Sequence, residues 1–186
     1  MTWRHITLTI ATIVAVALPS WVKGEHCREN SWNQALEKQQ QLDDWYNKHA
    51  SSFNQMLYLH RQKNFLHQQF SITELKQFWL PQNGSLQLKV SQQIYNANMV
   101  VSQLQEEETH LRASLPNVQE MQKQWEQISS HCDEAKLVRN AITSTHYALS
   151  NYKLEKDLTT LINKVGYLKS LYQQEADLLQ EILTEQ

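Results

Sequence analysis

Apolar side chains recur along most of this chain at three- and four-residue spacing. That is the period of one face of an α-helix, not the two-residue alternation of a half-buried strand. Leu42, Tyr46, Phe53, Met56 or Leu57, and Phe70 fall on such a face, and Glu29-Asn30-Ser31 supplies N-cap residues ahead of them. Ser71-Ile72-Thr73-Glu74 has the spacing of a capping box and marks either a helix restart or a coincidence inside a longer helix. Phe78, Trp79 and Leu80 close the stretch. Pro81-Gln82-Asn83-Gly84 then predicts a turn, because Pro fixes φ and Asn-Gly tolerates φ > 0. Ser85 opens a third segment, with Val90, Ile94, Ala97, Val101, Leu104 and Leu111 on one face and Glu108 intruding. Leu115-Pro116-Asn117 predicts its end, since an internal Pro removes a donor and clashes with the preceding turn.

A fourth stripe follows: Val118, Met121, Trp125, Ile128, Cys132, Ala135, Val138, Ile142, Thr145 and Leu149. The phase slips at Ser150-Asn151, which reads as a loop, a kink or only a stutter in one long helix. A fifth stripe runs through Leu154, Leu158, Leu161, Val165, Leu168, Tyr172, Leu179 and Ile182, interrupted by Glu175. These are about four heptads, enough for a coiled-coil reading, with Gly166 inside at a cost of about 1 kcal/mol. The expected architecture is all-α: an elongated antiparallel helical bundle with coiled-coil packing. It divides into a bundle over 25–150 and a C-terminal coiled-coil helix over 151–186. The stripe from Leu154 to Ile182 is expected to be an association surface, packing either on this chain's other helices or on another chain.

Composition agrees. Three Gly and three Pro in 186 residues are too few turn residues for a sandwich, a barrel or a βαβ enzyme, and the 23 Gln are good helix formers. The formal net charge of -2 argues against a nucleic-acid binder.

The N-terminus reads as an address. Arg4 precedes thirteen uncharged residues, Ile6 to Leu18, then Pro19-Ser20 and a Val22-Lys23-Gly24 cleavage pattern. Residues 1–24 are therefore expected to be a secretory signal peptide. The alternative is a membrane anchor over residues 6–22, although a span needs about 20 apolar residues. Membrane contact is expected only if the segment stays on. Loss of Arg4 and Lys23 leaves 15 basic and 19 acidic side chains, a net charge of -4.

Export changes the meaning of the two cysteines. A small even count in an oxidising compartment predicts one disulfide, Cys27 to Cys132, against two free buried thiols. If Ser31 to Leu80 were one helix, and turns at Pro81–Gly84 and Leu115–Asn117 folded the next helices beside it, the cysteines would lie about 58 Å apart. A disulfide needs Cα atoms within about 7 Å. A reversal near Ala50-Ser51-Ser52 would reduce the gap to roughly 12 Å along the axis. The bond therefore predicts a break there.

Candidate chemistry is thin. His49, His60 and His67 share a face with Phe53 and Met56, but His60 and His67 are about 10 Å apart along a helix, too far for one metal. Glu107-x-x-His110 has the spacing of one half of a di-iron motif, without a second copy. His131-Cys132-Asp133-Glu134 holds ligand-type residues about 100° apart on a helix. There is no Gly-x-Ser-x-Gly and no phosphate loop. His60-Arg61-Gln62-Lys63 reads as a solvated basic cluster, and Asn83-Gly84-Ser85 is a glycosylation sequon in a turn. No cofactor or metal is expected.

The wide Gln-rich faces suit protein contacts. The expected function is that of an exported, non-enzymatic protein acting through helix-mediated association, with a protein partner or with itself, as an assembly, adaptor or chaperone-like component of the cell envelope. The plan of a signal peptide and long Gln-rich helices is similar in outline to secretion-apparatus and periplasmic chaperone proteins, a likeness of architecture alone. The alternative is a ligand-binding bundle with Tyr46, Phe53, Trp125 and Tyr95 lining a pocket between helices.

Overall fold

A computed structural model describes residues 27–80 and 83–184. Both the signal-peptide reading and the first half of the Pro81–Gly84 turn fall on residues outside that set. Five helices follow in order: α1 Glu29–His60, α2 Leu66–Gln69, α3 Ile72–Phe78, α4 Gly84–Glu134 and α5 Val138–Thr184. No strand occurs among the described residues. The molecule is an elongated antiparallel helical bundle. Its backbone is the α4–α5 hairpin, whose arms of 51 and 47 residues extend about 76 and 70 Å. α1 lies antiparallel to α4 along roughly the two-thirds of the hairpin nearest its turn. α2 and α3 cover the open end.

The hairpin follows from two heptad lines. On α4, Val90, Ala97, Leu104, Leu111, Val118, Trp125 and Cys132 are all buried, each seven residues from the next. On α5, Ser144, Asn151, Leu158, Val165, Tyr172 and Leu179 do the same. A strict seven-residue period keeps one seam facing its partner along the whole length, with left-handed supercoiling.

Three expectations about breaks need correction. Helix α4 passes through Pro116 without ending. Stopping there would separate Leu111 from Val118, Trp125 and Ile128, each almost fully buried. Each such side chain stabilises the seam by about 1.5–3 kcal/mol, so continuity outweighs a proline penalty of about 3 kcal/mol. Second, α5 runs unbroken through Ser150-Asn151, so the boundary placed between residues 150 and 151 lies inside one helix. The apparent phase slip reflects polar residues on the seam: Ser144 and Asn151 have no exposed surface.

The third concerns the stripe from Val118 to Leu149, which is two helices. α4 ends at Glu134, and Lys136 takes φ 62°. Leu137 N–H donates to Cys132 C=O (2.8 Å) and Lys136 N–H to Asp133 C=O (2.9 Å), the paired bonds of a Schellman ending. Ala135, Val138, Ile142 and Leu149 consequently point outward, and Ala141, Ser144 and Ala148 take the inner positions.

The cysteines reach disulfide distance, with Cα atoms 5.6 Å apart. Helix α1 nevertheless runs straight through Ala50, Ser51 and Ser52. The expected break rested on a turn at Pro116. Because α4 continues to the far end of the hairpin, Cys132 meets the start of a straight α1. The first stretch breaks instead after His60 and again at Phe70-Ser71. There the capping box forms, Ser71 Oγ accepting from Glu74 N–H and Glu74 Oε2 accepting from Ser71 N–H.

Candidate functional site

The stripe from Leu154 to Ile182 is used inside the chain. Leu158, Leu161, Val165, Leu168, Tyr172, Leu179 and Ile182 are buried and Leu154 is half-buried, packed within the chain's own core clusters. Of the two ways this stripe was expected to pack, the structure has the one within a single chain.

Polar residues on the seam tie the third layer down. Gln39 of α1 is buried. Its Oε1 accepts from Trp125 Nε1 (2.8 Å) and Asn151 Nδ2 (2.6 Å), joining three helices. The intruding Glu175 is fully buried on α5. One oxygen accepts from Leu66 N–H (2.8 Å) and Gln93 Nε2 (2.9 Å), the other from His67 N–H (3.2 Å) and His67 Nδ1. It caps α2 from outside, where Phe65 has no capping side chain. The intruding Glu108 accepts from Lys169 Nζ (2.6 Å) and from Arg112, contacts that hold its carboxyl below the usual range. Gly166 lies beside it, where an added Cβ would meet Glu108 Oε1 at 3.7 Å, an ordinary contact. Both intrusions are thus latches of the fold.

The three histidines separate. His49 Nδ1 bonds Glu107 at 2.7 Å. His67 serves Glu175. His60 sits between Phe65 and Tyr172, with ring centroids 5.5 Å from each, and burial, aided by Arg61, pushes its pKa down. His110 of the Glu-x-x-His spacing is exposed. Among the described residues no group of three or more His, Cys, Asp or Glu is placed to hold a metal ion.

Of the four proposed pocket residues, Tyr46 and Phe53 come together and line one small groove between α1 and α5, whereas Trp125 and Tyr95 lie apart from it. Phe53 is in the central core, Trp125 in the core near the hairpin turn, Tyr46 is half-buried, and Tyr95 is exposed. A different apolar groove of about 440 Å³ lies between α1 and α5, lined by Phe53, Leu57, His60, Tyr167, Leu168 and Leu171.

Exposed apolar side chains are scattered over α1, α3 and α5, among them Tyr58, Leu59, Ile72 and Tyr167, but two groups line up on helix faces. On α4, Leu88, Tyr95 and Met99 lie outward near the open end. On α5, Val138, Ile142, Leu149 and Tyr152 are 57, 53, 54 and 46% exposed near the turn. Three residues of this second face, Val138, Ile142 and Leu149, belong to the fourth apolar stripe of the sequence, and Tyr152 does not. No helix among the described residues is long and apolar enough to cross a membrane. No family model, curated protein or solved structure matches the chain.

Proposed function

We propose that this chain is an exported, non-enzymatic helical protein that acts by joining other protein surfaces through its helix faces, in an assembly, adaptor or chaperone-like role in the cell envelope. The observation that carries the reading is the uncovered face of α5. Four large apolar side chains, Val138, Ile142, Leu149 and Tyr152, lie at heptad-related spacing and half in water. Isolated exposed apolar residues are ordinary, whereas a contiguous row marks an interaction site. The cysteine pair at disulfide distance supports an oxidising compartment, and the Arg4–Gly24 pattern supports export.

The test is photo-crosslinking in the native source. A photoreactive residue at Leu149 or Tyr95 is expected to give discrete protein adducts, and one at exposed Thr109, a polar site on α4, none. Absence of adducts from both apolar faces would remove the reading. A second reading, a ligand-binding bundle, is favoured by the groove beside Phe53 and His60, whose volume is in the range of small-molecule sites. Native mass spectrometry of the exported protein would show a bound mass if that reading holds.

A further inference from the structure

The uncovered α5 face has banks of opposite charge. Ser129 Oγ lies 2.8 Å from Thr145 Oγ1, and Gln119 Nε2 donates to Glu155 at 2.6 Å. The line of α4 one heptad apart through Gln119, Glu126 and Asp133 therefore forms one bank, and its two carboxylates are exposed. The other bank is the line of α5 through Arg139, His146 and Lys153, also exposed. Val138, Ile142, Leu149 and Tyr152 are the floor between them, about 21 Å long from first to last. Between Lys136 and Lys164 the only acids are Glu155, which Gln119 holds, and Asp157, which shares a groove toward α1 with Lys153 and with Asp43 of α1, so Arg139 is the cation of this bank that stands clear of such a groove.

An apolar floor with one acidic and one basic bank is complementary to itself under a two-fold axis parallel to the helices. Such an axis sets each α5 floor against its copy, and it carries the acidic bank of each α4 to the basic bank of the other α5. The two α4–α5 bonds above fix which residues of the hairpin lie level. By that register Asp133 is offset from Arg139 by about 3 Å along the axis, and Glu126 from His146 by about 3 Å. Asp133 and Arg139 thus meet as opposite charges at matching heights, as at the flanking positions of parallel coiled coils, and Glu126 meets the polar His146 ring. An antiparallel dyad would instead bring the basic row against itself. A lipid surface of negative charge would meet Glu126 and Asp133 unfavourably.

We propose that this face binds a second copy of this chain, forming a parallel dimer whose centre is a four-helix bundle of two α4–α5 hairpins joined along Val138 to Tyr152. The proposal rests on the association reading above and names the partner for one of its two faces. Isologous contact of this kind needs one patch only.

The experiment measures the mass of the full exported protein by sedimentation equilibrium, with variants on the floor and the banks. The unaltered chain is expected to be a dimer. Leu149→Asp is expected to be monomeric with an unchanged helical spectrum, since Leu149 is half in water. Arg139→Asp and Asp133→Arg are each expected to weaken the dimer about fivefold or more, and the double variant to recover most of the loss. Orientation is read with Leu149→Cys and a short bismaleimide. Linkage of Leu149→Cys to itself supports the parallel pairing. Linkage only between Ile142→Cys and Leu149→Cys copies means an antiparallel pair and overturns the proposal. A monomeric chain that sediments with vesicles containing phosphatidylglycerol overturns it in favour of a lipid surface. A monomer that crosslinks partners through Tyr95 overturns it while the association reading stands. A monomer without adducts at either face removes both.

Discussion

Replacing Glu175 with Ala tests whether the buried carboxylate latches the α2 segment to the hairpin. Glu175 has no exposed surface, and its oxygens accept from two backbone N–H groups at the start of α2, from Gln93 and from the His67 ring. The backbone donors cannot be removed by a side-chain change, so truncation leaves them facing an apolar gap. An unsatisfied buried donor costs about 1–3 kcal/mol, and breaking a buried charged network costs about 3–5 kcal/mol in all. His67 is partly exposed, so water reaches one side and the lower half of that range, about 3–4 kcal/mol, is expected. Gln93→Leu removes one donor and leaves the α2 cap intact, so it should cost about 1 kcal/mol. Urea unfolding followed by circular dichroism gives both values. Hydrogen exchange separates local from global effects: amides 66 and 67 should lose protection in Glu175→Ala ahead of those in α4 and α5. A loss under about 1 kcal/mol with unchanged protection at those amides would refute the latch.

Four further outcomes follow from particular contacts. Non-reducing peptide mapping of the protein from its native source should recover Cys27 joined to Cys132, and the double Ser variant should lose about 3–5 kcal/mol for a loop closed over 105 residues; two free thiols would contradict it. Pro116→Ala restores a bond to Arg112 C=O in an exposed turn of α4, so the urea midpoint should rise by about 1–2 kcal/mol equivalent, part of the gain being offset in the unfolded chain. Lys136→Gly relieves a positive φ and should add about 0.5–1 kcal/mol, where Lys136→Val should subtract. The lowered pKa of Glu108 makes its contribution complete above its ordinary value of 4.5 and lost as pH falls through the depressed one, so Glu108→Gln should flatten the acid limb of stability below pH 4.5.

How much the sequence showed depended on whether each local signal matched what long-range packing wanted. The capping box at Ser71 and the cysteine pairing needed only local spacing or counting, and both appear in the structure. The inward stripe from Leu154 to Ile182 was legible because large aliphatic residues occupy it. The turn at Ala135–Leu137 gave no signal because Lys, not Gly, takes the left-handed position that ends α4. Pro116 gave a false stop because its cost is local, whereas the gain from a continuous seam is summed over residues on both sides of it. The latches were half legible: Glu108 and Glu175 stood out as intrusions, but their partners Lys169, Arg112, Leu66, His67 and Gln93 are distant in the chain or contribute backbone groups.

The most informative misreading is the first third of α5. Val138, Ile142 and Leu149 share one apolar stripe of the sequence with Val118 to Cys132, yet in this part of α5 the chain buries Ala141, Ser144 and Ala148 and leaves the larger residues outside. Small residues on the inner face let α4 and α5 approach closely at the end held by Cys27 and Cys132, since interaxial distance follows the side chains at the contact. Intramolecular packing thus accounts for the small residues and leaves the large ones unexplained. A helix selected only for its own hairpin has no physical reason to keep four large apolar side chains in heptad register in water, between banks of opposite charge. The pattern follows if that face is covered in the working protein. On this ground the face of α5, rather than the buried seam, is where the association expected from the sequence is to be sought.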